Sequence, residues 1–107
     1  MRCGRMDDDL TITTAREGTT AIVTASGEID LSNAGDLRTA VTDAAQGCDR
    51  LRLDLTGVEF IDSTGLGGLL ELRSTLRSRS VTLEIVAGEG PVRQAVEITG
   101  LAELLAT

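Results

Sequence analysis

The apolar residues of this chain change their spacing at Ser63, and that change restricts the fold more than any other feature. Leu51, Leu53 and Leu55 alternate with Arg52 and Asp54, the period of a strand with one buried face. Leu66, Leu69, Leu70, Leu72 and Leu76 then recur at the spacing of a helix with one apolar side. The switch falls within Phe60-Ile61-Asp62-Ser63-Thr64-Gly65-Leu66-Gly67-Gly68. A second alternating stretch, over 81–87, follows the helix. Strand, helix and strand in that order call for a crossover connection between parallel strands.

The remaining elements are legible around this unit. Residues 10–14 alternate as a short strand, and 20–26 form a second one. The turn 16–19 between them contains Gly18, so the two pair as an antiparallel hairpin. Gly27-Glu28-Ile29-Asp30 ends the second strand. Ser32 or Asn33 can cap a first helix, whose stripe is Ala34, Leu37, Val41, Ala44 and Ala45 and whose stop is Gly47. Thr56-Gly57-Val58-Glu59 reads as a turn after the third strand. The second helix is predicted over 64–79, with Arg73, Arg77 and Arg79 toward its C-terminal end, where positive charge is favoured. Pro91 suits the first position of a short third helix that stops at Gly100, and 101–105 reads as one or two helical turns.

The predicted fold class is α/β: a small single domain with a mixed, mostly parallel sheet of about four strands. Its parallel strands alternate instead of reading as continuous apolar runs, which places the helices on one face only. The domain is expected over 10–107, and residues 1–9 are read as a disordered lead-in, with Met6 an alternative start. That lead-in has no apolar stretch of the signal-peptide kind, and nothing in the chain is long enough to span a membrane. A cytoplasmic protein is expected.

Composition removes most chemistry. His, Lys, Trp and Tyr are absent, and Phe60 is the single aromatic residue. Without His there is no Ser-His-Asp triad and no imidazole ligand; without Lys there is no P-loop lysine and no Schiff base. Cys3 and Cys48 are too few for a structural zinc site and read as incidental reduced thiols. No metal, cofactor or catalytic residue is expected, so the chain is read as a non-enzyme. The formal net charge of -7 repels phosphate backbones, so nucleic acid is not an expected partner; a basic protein surface is the better match.

Ser63 stands at a helix N-terminus, where free N–H groups and partial positive charge tolerate a phosphate. The same position suits an ordinary N-cap serine. Gly65, Gly67 and Gly68 weaken the start of that helix by up to about 1 kcal/mol each relative to Ala. Close packing on the sheet explains such glycines, and so does a smooth surface for another protein. Asp62 beside Ser63 is read as a cap or turn residue. Asp30 ends a strand parallel to the one before Ser63, so the two belong to the same sheet edge.

The blocks Gly27-Glu28-Ile29-Asp30-Leu31 and Asp54-Leu55-Thr56-Gly57-Val58-Glu59-Phe60-Ile61-Asp62-Ser63-Thr64-Gly65-Leu66 resemble the STAS domain family, most of all its bacterial anti-sigma factor antagonists. The ending Gly100-Leu101-Ala102-Glu103-Leu104-Leu105 fits the same pattern; members often continue with a short strand and helix, whereas this sequence stops at Thr107. The resemblance implies a STAS fold and a regulatory role in transcription, of the kind used in stress response and sporulation. It implies phosphorylation of Ser63 by an anti-sigma factor that is itself a serine kinase, and reversal by a metal-dependent Ser/Thr phosphatase. Partner contacts are implied at Asp30, Asp62, Ser63, Thr64, Gly65 and Leu66. The unphosphorylated form would bind the anti-sigma factor and free a sigma factor. The alternative is a STAS scaffold or transport-complex subunit without a phosphoswitch.

Overall fold

Gly18, at a φ of 61°, turns β1 (Leu10–Glu17) back onto β2 (Thr20–Ile29), and Glu17 pairs directly with Thr20. The computed structural model describes residues 10–105, so the lead-in 1–9, with Cys3 and Met6, lies outside the described residues. The remaining elements are α1 (Ala34–Ala44), β3 (Arg50–Ile61), α2 (Ser63–Ser78), β4 (Thr82–Val86) and α3 (Pro91–Val96). A π-helical turn (Glu97–Leu101) and a 3-10 turn (Ala102–Leu104) follow. The sheet order is β1-β2-β3-β4; β1 is antiparallel to β2, and β3 is parallel to both its neighbours. This is the small mixed, mostly parallel four-stranded α/β fold expected from the alternating periods.

One face of the sheet is buried and the other reaches water. Leu10, Ile12, Val23, Leu51, Leu53 and Ile85 point into one apolar cluster with Leu37, Val41, Leu69, Leu72 and Leu76 of the helices. Thr13, Thr24, Arg52 and Glu84 alternate with them, and Arg52 Nε meets Glu84 Oε1 at 2.9 Å across β3 and β4. With one aromatic residue in the chain, this core consists of aliphatic side chains, and its cohesion comes from burial area and close packing. Arg16 ties the hairpin to the far end of α1: its guanidinium donates to the carbonyls of Gln46 and Gly47, and of Gly18 in its own turn. Positive charge at a helix C-terminus is favourable there, and Gly47 ends α1 with a φ of 76°. Cys48 is a half-buried free thiol on the carbonyl of Ala44. No helix among the described residues is long and apolar enough to cross a membrane.

One expectation is corrected. Residues 56–59 are not a turn: β3 continues through them to Ile61. The extra length is absorbed by register shifts between Thr24 and Ser26 and between Gly27 and Glu28 of β2. Gly57 permits this, since a Cβ there would sit 2.8 Å from the Cβ of Ser26. Asp54 Oδ1 fixes the local path by accepting the N–H and hydroxyl of Thr56. The stretch 101–105 carries the expected helical turn, a 3-10 turn over Ala102–Leu104, after which Leu105 is extended and bridges in parallel to Ile85. Gly100, at a φ of 95°, makes the turn that lets Leu101 enter the core.

Candidate functional site

Because β3 runs on to Ile61, it ends level with β2. Ile29 pairs with Ile61, and the Asp62 N–H donates to the Ile29 carbonyl at 3.1 Å. Asp30 and Asp62 therefore leave adjacent parallel strands at the same edge, where α/β sheets place their sites. Ser63 follows Asp62 as the first residue of α2, one position earlier than the predicted start.

Ser63 is not the cap. Asp62 is extended (φ -95°, ψ -177°), and its Oδ1 accepts the Gly65 N–H at 2.9 Å. Its carboxylate reaches the third amide of the helix, as an N-cap must. The Ser63 hydroxyl is left exposed, with no hydrogen-bond partner among the described residues. The Ser63 and Thr64 amides, at the first two helical positions, have no carbonyl acceptor within the helix. Thr64 is exposed, and Leu66 packs half-buried against the core.

The expected caps of α1 are corrected too. Asn33 stands at the N-cap position, but its side chain makes no cap bond. It is fully buried, donates to the Glu28 carbonyl and accepts the Asp30 N–H, both at 2.9 Å. Ser32 instead turns back to Asp30, whose Oδ1 accepts its N–H at 2.9 Å and its hydroxyl at 2.6 Å. Residue spacing marks both as cap formers, and neither the inward turn of Asn33 nor its burial leaves a trace in the spacing.

The three glycines of α2 divide. Gly65 is required for packing: a Cβ would lie 2.7 Å from Ile61 Cγ1 and 2.8 Å from Ile29 Cγ2. A Cβ on Gly67 or Gly68 would meet nothing within 4 Å. An open groove of about 530 Å³ runs between α1 and α2 here, lined by Leu31, Gly35, Thr64 and Gly67 and by the Arg38–Glu71 ion pair. Leu31 is 77% exposed, an apolar side chain held in solvent beside the groove. Since a Cβ at Gly67 or Gly68 has room, Gly67→Ala and Gly68→Ala are each expected to stabilise the domain by about 0.5–1 kcal/mol in thermal or urea melts. Destabilisation by either would mean that α2 packs more tightly than its open face suggests.

The charged residues at the C-terminal ends of β2 and β3 have one sign. Glu28, Asp30, Glu59 and Asp62 lie at the ends of β2 and β3, and neither 17–37 nor 53–72 contains an arginine. Arg38 is engaged with Glu71. A phosphate on Ser63 would therefore have helix amides beside it and no free side-chain cation close in sequence. With no His or Lys in the chain, the hydroxyl also has no usual base to activate it as a nucleophile.

A family model described as the STAS domain matches residues 11–107. The chain belongs to the STAS domain family. Among the relatives of this STAS domain is the anti-sigma-F factor antagonist RsfB of Mycobacterium tuberculosis, 34% identical over 95 residues that cover 88% of this chain and 77% of RsfB. The crystal structure of an anti-sigma factor antagonist from Mycobacterium paratuberculosis superposes with a TM-score of 0.80 at 29% identity, covering 92% of this chain and 84% of that one. The unphosphorylated form of SpoIIAA has the same fold, with a TM-score of 0.73 at 19% identity over 89% of this chain and 85% of that one. The phosphorylated form of SpoIIAA, from Bacillus, also shares it, with a TM-score of 0.70 at 16% identity over 89% and 88%.

Proposed function

We propose that this STAS domain is an anti-sigma factor antagonist whose grip on its partner is set by phosphorylation of Ser63. The observation that carries this reading is the Ser63 hydroxyl: exposed, without a hydrogen-bond partner among the described residues, and relieved of capping duty by Asp62. The mycobacterial relatives named as antagonists support the role. Unphosphorylated, the edge formed by Asp30, Asp62, Ser63, Thr64, Gly65 and Leu66 binds an anti-sigma factor that is also a serine kinase. The sigma factor is then free for transcription. The kinase transfers phosphate to Ser63, the complex separates, and a metal-dependent Ser/Thr phosphatase restores the binding form.

The chain is the substrate in this cycle and not the catalyst. A phosphoserine adds roughly −1.5 to −2 charge at neutral pH. The start of α2 accommodates that charge, favourably by about 0.3–1 kcal/mol, so the fold has no reason to change. The partner, by contrast, meets a bulky dianion on an edge already carrying Asp30 and Asp62. The test is incubation with the anti-sigma factor kinases of the source organism and ATP, followed by peptide mass spectrometry. One phosphate is expected, on Ser63, and none on Ser63→Ala. An active kinase that leaves Ser63 unmodified would contradict the reading and favour a STAS scaffold without a switch.

A further inference from the structure

Asn33 is the one polar residue with no exposure among the described residues, and both of its side-chain bonds go to the end of β2. A buried carboxamide is tolerated when its oxygen and its N–H groups find partners, and here the oxygen and one N–H do. The bonds converge on Asp30. The Asp30 N–H is held by Asn33 Oδ1. The Asp30 carbonyl accepts the backbone N–H groups of Asn33 and Ala34 at 3.2 and 2.9 Å. Its Oδ1 is filled by the two Ser32 donors. Oδ2 is the single polar atom of Asp30 left without a partner among the described residues.

We propose that Asn33 is the positioning residue of the partner-binding edge: it locks the turn at Asp30 so that one carboxylate oxygen, Oδ2, is presented in a fixed direction. The group that meets it on the partner is a hydrogen-bond donor, either an Arg or Lys side chain or a backbone amide. This inference rests on the reading of Asp30 as a contact to the anti-sigma factor. Preorganisation is what gives the contact its strength, since a mobile turn would lose the entropy of ordering on each encounter. A cap in the ordinary sense would have aimed the Asn33 side chain at the amides of α1, and it does not.

The test is a double-mutant cycle, with binding to the purified anti-sigma factor kinase read by calorimetry. Asn33→Ala is expected to lower affinity on the order of tenfold, about the worth of one charge-assisted hydrogen bond. In an Asp30→Ala background the same change is expected to cost almost nothing, because it acts through Asp30. Asn33→Ser, which keeps a donor and an acceptor at the turn, is expected to restore part of the binding and serves if Asn33→Ala folds poorly. Equal losses in the two backgrounds would overturn the proposal and make Asn33 a purely structural residue.

Amide hydrogen exchange supplies a readout independent of any partner. The Asp30 N–H is expected to lose protection in Asn33→Ala while amides of β3 and β4 keep theirs. Unchanged protection at Asp30 would overturn the positioning role. Wild-type protein that binds none of the organism's anti-sigma factors would overturn the functional reading and the binding half of this proposal; the exchange result would still decide whether Asn33 holds the turn.

Discussion

Replacing Ser63 with aspartate is expected to lower affinity for the anti-sigma factor about a hundredfold, equivalent to about 3 kcal/mol, and to leave the backbone where it is. The size of the loss follows from position. Ser63 is the first residue of α2, exposed, beside two carboxylates and with no free arginine in either adjoining βα segment. A partner shaped to this edge must exclude the added charge or desolvate it, and the modest help of the helix N-terminus does not offset either. The backbone stays because the features that define the start of α2 do not involve the Ser63 side chain. These are the Asp62 cap, the Asp62 N–H to Ile29 bond and the contact of Gly65 with Ile29 and Ile61. Ser63→Ala is expected to bind like the unmodified protein and to be insensitive to kinase and ATP. Backbone NMR spectra of Ser63→Asp and wild type should differ only around 60–66. Widespread shifts along α2 would show a conformational switch instead of a local block.

The second large effect is on stability. Gly65→Val places a branched side chain where even a Cβ would stand 2.7 Å from Ile61 and 2.8 Å from Ile29. Both isoleucines are buried at the ends of paired strands and have little room to move. Overpacking here is expected to cost roughly 2–3 kcal/mol, a fall in Tm on the order of 10 °C for a domain of this size. The strain also pushes the start of α2 away from the sheet and displaces Asp62 and Ser63, so phosphorylation slows in the same variant. A Tm within about 2 °C of wild type would mean that α2 begins farther from the sheet than the structure indicates. The contrast with Gly67→Ala and Gly68→Ala, expected to stabilise, separates the glycine whose missing Cβ packing requires from the two where a Cβ has room.

The architecture was legible because each element advertises its period. Leu51, Leu53 and Leu55 announce a strand and Leu69, Leu72 and Leu76 a helix, and the junction between them located the edge that carries Ser63. What escaped was decided by partners distant in sequence. Thr56-Gly57-Val58-Glu59 has the residues of a turn, yet pairing with β2 through two bulges in β3 holds it extended, and Gly57 serves close strand approach. The caps were assigned by residue type, but the choice between Asp62 and Ser63 depends on backbone angles, and burial decides the role of Asn33. Leu31 and Gly35 join the groove beside Thr64 only once α1 and α2 lie side by side. The choice of Ser63 over Thr64 as the proposed phosphate acceptor rests on the family likeness, since both residues are exposed.

The most direct measurement takes one preparation of this protein through the whole cycle. Affinity for the anti-sigma factor kinase is measured by calorimetry before phosphorylation, after stoichiometric phosphorylation, and after removal of the phosphate by a metal-dependent Ser/Thr phosphatase. Phosphate confined to Ser63, a loss on the order of a hundredfold, and full recovery on dephosphorylation are the expected results. Equal affinity of the two forms, with Ser63 fully phosphorylated, would contradict the switch.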